Sequence, residues 1–256
     1  MATWTPAALS RERRALSGAC WRVVEAQHRV STMKLVDTLE EQAALESLLE
    51  PAKPPIPAEC QHLDFLLFTP FRYGAPYPRG SRFRAAGFTP GVFYGSESPE
   101  TAMAEMVFHR LLFFADAPAV PWPRNAGEYT VFSVPFRTEA ALDLTAPPLV
   151  RDRALWMRRT DYGACQALAR QARQAGVEVL RYASARVRSE SAVNLALLTC
   201  RAFAARTPLA RQTWRLLLGV HGARALCERP RRRLQFDRLA FAADPRIAHL
   251  DWDRVS

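Results

Sequence analysis

The chain has 256 residues, 49% apolar and 23% charged, which suits one large domain, or one domain with an extension. No run approaches the roughly 18 uninterrupted apolar residues of a membrane-crossing helix, and the N-terminus lacks the charged-then-apolar order of a secretory leader. The net charge of +10 is almost all arginine, since Lys34 and Lys53 are the only lysines; nucleic acid, a phosphate-bearing ligand and an acidic partner all fit such a balance.

Residues 6–28 carry Pro6, Leu9, Leu16, Trp21, Val24 and His28 among charges, a pattern that predicts an amphipathic helix. Ser31 and Thr32 are placed to cap a second helix, with Leu35, Leu39, Leu45, Leu48 and Leu49 as its apolar stripe. That stripe suits packing, or a surface for a homo-dimer or another partner. Pro51, Pro54, Pro55 and Pro57 then form a linker. The expected organisation is a helical N-terminal extension with its linker over 1–58 and a catalytic domain over 59–256. Five scattered cysteines with no Cys-x-x-Cys pair read as reduced thiols of a cytoplasmic protein, with no metal site.

Within the body, Phe65–Thr69 and Gly91–Tyr94 read as short strands. Ser98 is an N-cap with Pro99 at the first helical position, and the apolar helix that follows runs to about residue 115. Tyr129–Pro135 and Ala141–Leu144 read as two strands. Residues 161–175 form a helix ended by Gly176, and Val177–Tyr182 is the strand after it. Asn194–Leu198, Trp214–Val220 and Leu234–Phe241 are further strand candidates. Helices and strands without regular alternation predict an α+β fold.

The chemistry concentrates in two places. Residues 71–84 offer Arg72, Arg79, Arg82 and Arg84 on a Gly/Pro-rich loop, and guanidinium groups suit a phosphate ligand. Glu105 follows on the apolar helix, with Thr101 and His109 at i−4 and i+4. A carboxylate there suits stabilisation of developing positive charge; Glu97 and Glu100 are the competing acids. Far downstream stands Tyr182-Ala183-Ser184-Ala185-Arg186, with Ser189 and Ser191 as alternative serines. No Walker loop, Rossmann glycine fingerprint or nucleophile elbow occurs.

The order Arg-Tyr, Arg, then Phe-Tyr-Gly-Ser-Glu-Ser-Pro-Glu-Thr-Ala-x-Ala-Glu, then Tyr-x-Ser-x-Arg resembles the RES domain over roughly residues 65–240. The resemblance implies a mixed β-sheet core with surrounding helices, similar to ADP-ribosyltransferases. It implies a toxin of a toxin–antitoxin pair that degrades NAD by phosphorolysis, giving nicotinamide and ADP-ribose 1″-phosphate. NAD is then a substrate rather than a resident cofactor, and inorganic phosphate a co-substrate. Glu105, Arg72 and Ser184 carry the catalytic positions of the pattern. Arg72, Tyr73, Arg82, Tyr94 and Ser184 carry its NAD- and phosphate-binding positions, with Arg84 competing with Arg82. An Xre-type helix-turn-helix antitoxin is the implied partner. Two alternatives remain beside this reading: a mono-ADP-ribosyltransferase with a protein acceptor, and a basic nucleic-acid-binding or interaction protein, against which the dispersal of the arginines weighs.

Overall fold

The computed structural model describes residues 4–26, 36–49, 54–72, 76–187 and 189–254. The fold is α+β, built on an eight-stranded mixed sheet. Helix α1 (Pro6–Arg11) is capped by Thr5 and stops at Glu12. The next residues form strand β1 (Arg14–Glu25), not a continuation of the helix as expected over 6–28. Its pairing decides this: β1 lies antiparallel to strand β3 (Gly127–Asp143) from Arg14 to Glu25. A ladder of that length outweighs the few tenths of a kcal/mol per residue by which local propensity favours helix. The N-terminal stretch is therefore part of the sheet. His28, Ser31, Thr32 and Leu35 lie outside the described residues.

Helix α2 (Leu39–Leu49) starts eight residues after the expected cap. Thr38 Oγ1 accepts from the Glu41 amide, and the Glu41 carboxylate accepts from the Thr38 amide, a reciprocal capping box. Leu39 and Leu48 are each 77% exposed, so these two leucines of the stripe are not packed against the described residues, while Leu45 is half-buried. Phe65–Phe68 is a single helical turn capped by Asp64, where a strand was expected. The Asp64 side chain, accepting from the Leu66 amide, supplies the local start signal.

Strand β2 (Phe93–Ser96) leads into helix α3 (Pro99–Asp116) through Ser98, whose hydroxyl accepts from the Thr101 amide, with Pro99 beginning the helix. Val107, Phe108 and Leu111 on α3 are fully buried against Val131, Trp214 and Leu216 of the sheet. Each such side chain contributes roughly 1.5–3 kcal/mol. What reads as two strands over 129–144 is the single strand β3. Helix α4 (Gly163–Gln174) buries Cys165, Leu168, Ala169 and Ala172 at helical spacing. It ends at Gly176, whose φ of 70° few side chains tolerate. The Gly176 and Val177 amides return to Arg173 and Ala172 carbonyls, closing a Schellman motif.

Strands β4 (Val179–Ala183), β5 (Val193–Leu197), β6 (Ala210–Gly219), β7 (Gly222–Cys227) and β8 (Arg232–Phe236) complete the sheet. Its order is β1-β2-β5-β4-β3-β6-β7-β8, with β1 also pairing β3. Strands β1, β2, β5, β4 and β3 thus form a closed circuit, and β6–β8 continue from β3 as an antiparallel meander. Long β3 makes this possible. Its C-terminal end, from Ala141, pairs parallel to β4, while the rest pairs antiparallel to β1 and β6. No helix among the described residues is long and apolar enough to cross a membrane.

Candidate active site

A cavity of about 710 Å³ opens between β1, β2, one face of α3, the 77–82 loop and the segments around 160 and 185. That is within the usual size of small-molecule sites. Its floor depends on Gly95. A Cβ there would come within 2.4 Å of Cys20 Sγ and 2.7 Å of the Trp21 carbonyl oxygen, so only glycine lets β2 lie this close to β1.

Glu105 lines this cavity from the middle of α3. Two donors clamp its Oε1: Ser184 Oγ at 2.7 Å and Asn194 Nδ2 at 2.6 Å. Both are themselves fixed. Ser184 Oγ accepts from the Arg186 and Val187 amides, each at 3.1 Å, which leaves its own proton for the carboxylate. Asn194 Oδ1 accepts from Ser96 Oγ at 2.6 Å, which turns the amide nitrogen toward Glu105. Glu105 Oε2 makes no hydrogen bond to any described residue. One carboxylate oxygen is held and the other is left for a ligand. The competing acids are engaged elsewhere: Glu97 pairs with Arg181 and Glu100 with Arg232.

Ser184 is buried and does not line the cavity. It positions Glu105, where a direct hydrogen bond to substrate was expected. Tyr94 lines the cavity, but its hydroxyl is taken: it accepts from the Phe83 amide at 2.9 Å and bonds Ser81 Oγ at 2.9 Å. Burial pushes its pKa up to about 12. The tyrosine therefore anchors the 81–83 loop and offers its ring to a ligand. Tyr73 lies outside the described residues.

The expected arginines separate clearly. Arg82 lines the cavity; its guanidinium stacks on the Tyr162 ring at 4.9 Å and donates to the Trp156 and Arg158 carbonyls. Arg84 is buried away from the cavity, 4.1 Å over the Tyr77 ring and bonded to Thr89. Arg72 is not brought to the cavity. Its Nε donates to the Pro54 carbonyl at 2.5 Å, and the guanidinium sits 5.9 Å over Phe68, because the helical turn at 65–68 puts it beside the proline segment. Arg22 on β1 stands in the wall instead, donating to the Tyr94 carbonyl at 2.8 Å.

Arg79, Arg186 and Arg246 complete the basic lining, and Arg79 pairs with Asp116 at the rim across 3.7 Å. His109 lines the wall one turn beyond Glu105. Burial holds its pKa below the usual histidine value, opposed by Glu105 and reinforced by Arg186 and Arg246, so the ring is neutral near pH 7. Sequence reasoning missed Arg22, Arg246 and Asn194. The β-favouring run Cys20-Trp21-Arg22-Val23-Val24 was a usable signal for Arg22; none marks the other two.

No curated protein matches the chain. Among solved structures, a chain of the M. tuberculosis MbcT–MbcA toxin–antitoxin complex is similar at 15% identity and a TM-score of 0.43, over 82% of this chain and 92% of that one. The RES domain family model matches residues 56–219, which include β2, α3 and the Glu105–Ser184–Asn194 clamp, and the chain belongs to that family.

Proposed function

We propose that the protein consumes NAD at this cavity, as the toxin of a toxin–antitoxin pair, and that inorganic phosphate is the acceptor. The observation that carries the reading is Glu105, one oxygen clamped and the other unbonded, in a cavity bordered by five arginines. NAD offers the matching chemistry: a diphosphate for guanidinium groups, and a ribose whose cleavage passes through an oxocarbenium-like state that a nearby carboxylate stabilises. Trp21 and Tyr94 in the lining offer faces for the two flat rings, while Tyr77 and Tyr162 each carry an arginine on one face.

The step balances without an acid. The electron pair of the nicotinamide–ribose bond moves to the ring nitrogen, so the pyridinium departs as neutral nicotinamide. A phosphate oxygen then forms the new C1″–O bond, giving ADP-ribose 1″-phosphate. Glu105 Oε2 accepts a hydrogen bond from a ribose hydroxyl and faces the positive charge as it develops. Phosphate already carries negative charge and needs no base. Water does need one, and neutral His109 stands in the wall, so the phosphate dependence of the rate decides the acceptor.

The test is incubation with NAD in a non-phosphate buffer, with and without added phosphate, followed by identification of products. Nicotinamide and ADP-ribose 1″-phosphate, formed in proportion to phosphate, are expected. Free ADP-ribose at a phosphate-independent rate makes the protein a hydrolase, and a labelled protein band makes it a transferase. Expression in bacteria without an antitoxin is expected to lower cellular NAD before growth stops.

A further inference from the structure

We propose that Arg246, held at the cavity edge by Asp244, binds the attacking phosphate beside Glu105, so that the segment after the family-matched region completes the active site. This rests on the NAD-phosphorolysis reading. Residues 56–219 match the family, and Arg246 lies beyond them in the run that follows β8. It nevertheless lines the cavity together with Glu105, His109 and Arg186.

The corner is built rather than incidental. Asp244, 2% exposed at its side chain, bonds Arg186 Nη1 at 2.7 Å, Arg246 Nη2 at 2.9 Å and Arg246 Nε at 3.0 Å. Burial would raise the Asp244 pKa, but the Arg246 hydrogen bonds and the Arg186 charge outweigh it and hold the carboxyl below its ordinary value. The site therefore contains two guanidinium groups and one carboxylate, a net positive charge. Both guanidinium groups also lie over the Phe108 ring, at 4.1 Å for Arg186 and 5.4 Å for Arg246.

The two arginines differ in what they leave available. Arg186 has a side chain only 5% exposed, with Nη1 and Nη2 bonded to Asp244, the Arg159 carbonyl and the Tyr162 hydroxyl. Arg246 is 31% exposed. Its Nε and Nη2 are bonded within the protein, while Nη1 makes no hydrogen bond to any described residue. It therefore presents an oriented charged donor with its orientation already fixed. Arg22, which donates to the Tyr94 carbonyl on the β1 side of the cavity, is the arginine apart from this corner that can serve NAD's own diphosphate. Arg82 stacks on Tyr162, whose hydroxyl bonds Arg186 and Arg246, and so borders the corner. The Arg186 amide donates to Ser184 Oγ, which donates to Glu105, and this chain ties the corner to the carboxylate at which the ribose would react. A phosphate on Arg246 would then lie on the Glu105 side of the cavity, apart from a diphosphate held at Arg22.

The experiment measures inorganic phosphate and NAD binding separately, by calorimetry in chloride buffer, for wild type, Arg246→Gln and Arg246→Lys. Melting curves establish that each is folded; Arg246→Lys keeps the charge beside Asp244 and serves if Arg246→Gln does not fold. Phosphate affinity is expected to fall at least about tenfold in Arg246→Gln, and less in Arg246→Lys, which cannot copy the fork. NAD affinity stays within about twofold, and in turnover the KM for phosphate rises while that for NAD does not. Unchanged phosphate binding in the variants, no phosphate binding by wild type at millimolar concentration, or an equal loss of NAD affinity overturns the assignment. Wild type that binds phosphate through Arg246 but consumes no NAD supports the anion site and refutes the NAD reading instead.

Discussion

Replacing Glu105 with glutamine tests the centre of the site with little disturbance to the fold. Ser184 has only its proton to give and Asn194 presents its amide nitrogen, so both donate to Oε1. A glutamine must put its carbonyl oxygen there and its NH2 where Oε2 was. Both hydrogen bonds survive, and an acceptor facing the ligand becomes a donor. A carboxylate about 4 Å from the developing cation, at an effective dielectric of about 20, contributes about 4 kcal/mol. At about 1.4 kcal/mol per decade that is a rate loss of about a thousandfold. The assay is nicotinamide release at saturating NAD and phosphate, beside a melting curve. Turnover within a few-fold of wild type in a folded Glu105→Gln protein would refute the role of Glu105 and the cation-stabilising account of the cavity.

Ser184→Ala strands the Arg186 amide and loosens Glu105, so it should lower stability by about 1–3 kcal/mol and reduce kcat more than it raises the KM for NAD; a rise in KM alone would mark Ser184 as a binding residue. Arg22→Ala and Arg82→Ala should each weaken NAD binding about tenfold or more, since charge-assisted hydrogen bonds contribute roughly 1.5–3 kcal/mol, whereas Arg72→Ala should leave it unchanged and Arg84→Ala should lower the melting temperature; calorimetry separates these, and a large NAD defect in Arg72→Ala would contradict the placement of that side chain. For His109, the folded pKa lies below the unfolded value of about 6.5. As pH falls from about 6.5 through the folded value, the unfolded chain takes a proton that the folded chain refuses, so stability drops. His109→Asn should flatten that acid limb in urea melts between about pH 5 and 8, and an unaltered limb would deny the buried neutral imidazole.

Local signals announced what they themselves stabilise. Ser98 and Pro99 mark the start of α3 because the cap is a contact between neighbours, and Gly176 marks the end of α4 because its φ is local. Glu105 was legible as a lone carboxylate on an apolar helix, and Arg82 as a loop guanidinium. Strand β1 was legible only in its β-favouring run Cys20–Val24; its extent was not, since its partners on β3 are more than a hundred residues away and its burial does not alternate cleanly. Arg72 and Ser184 show a second limit. Residue type and order suggested ligand contact for both, yet one guanidinium turns to Pro54 and one hydroxyl is used up on two amides and Glu105. Arg246 gave no sign at all, because only the close of the chain back onto α3 brings it near.

The ladder between β1 and β3 also governs when the protein can act during its synthesis. The cavity takes Trp21 and Arg22 from one end of the chain and Arg246 from the other. Residues 14–25 must wait for β3 to be made before they can pair, and β5 must follow before Asn194 can hold Glu105. Closing such distant contacts is slow compared with forming a helix. A growing chain therefore carries the motif residues before it carries a working site, and the pocket is finished only once Arg246 has emerged. A partner that must engage the folded cavity has the same timetable: its target exists only once the residues through Arg246 have been made.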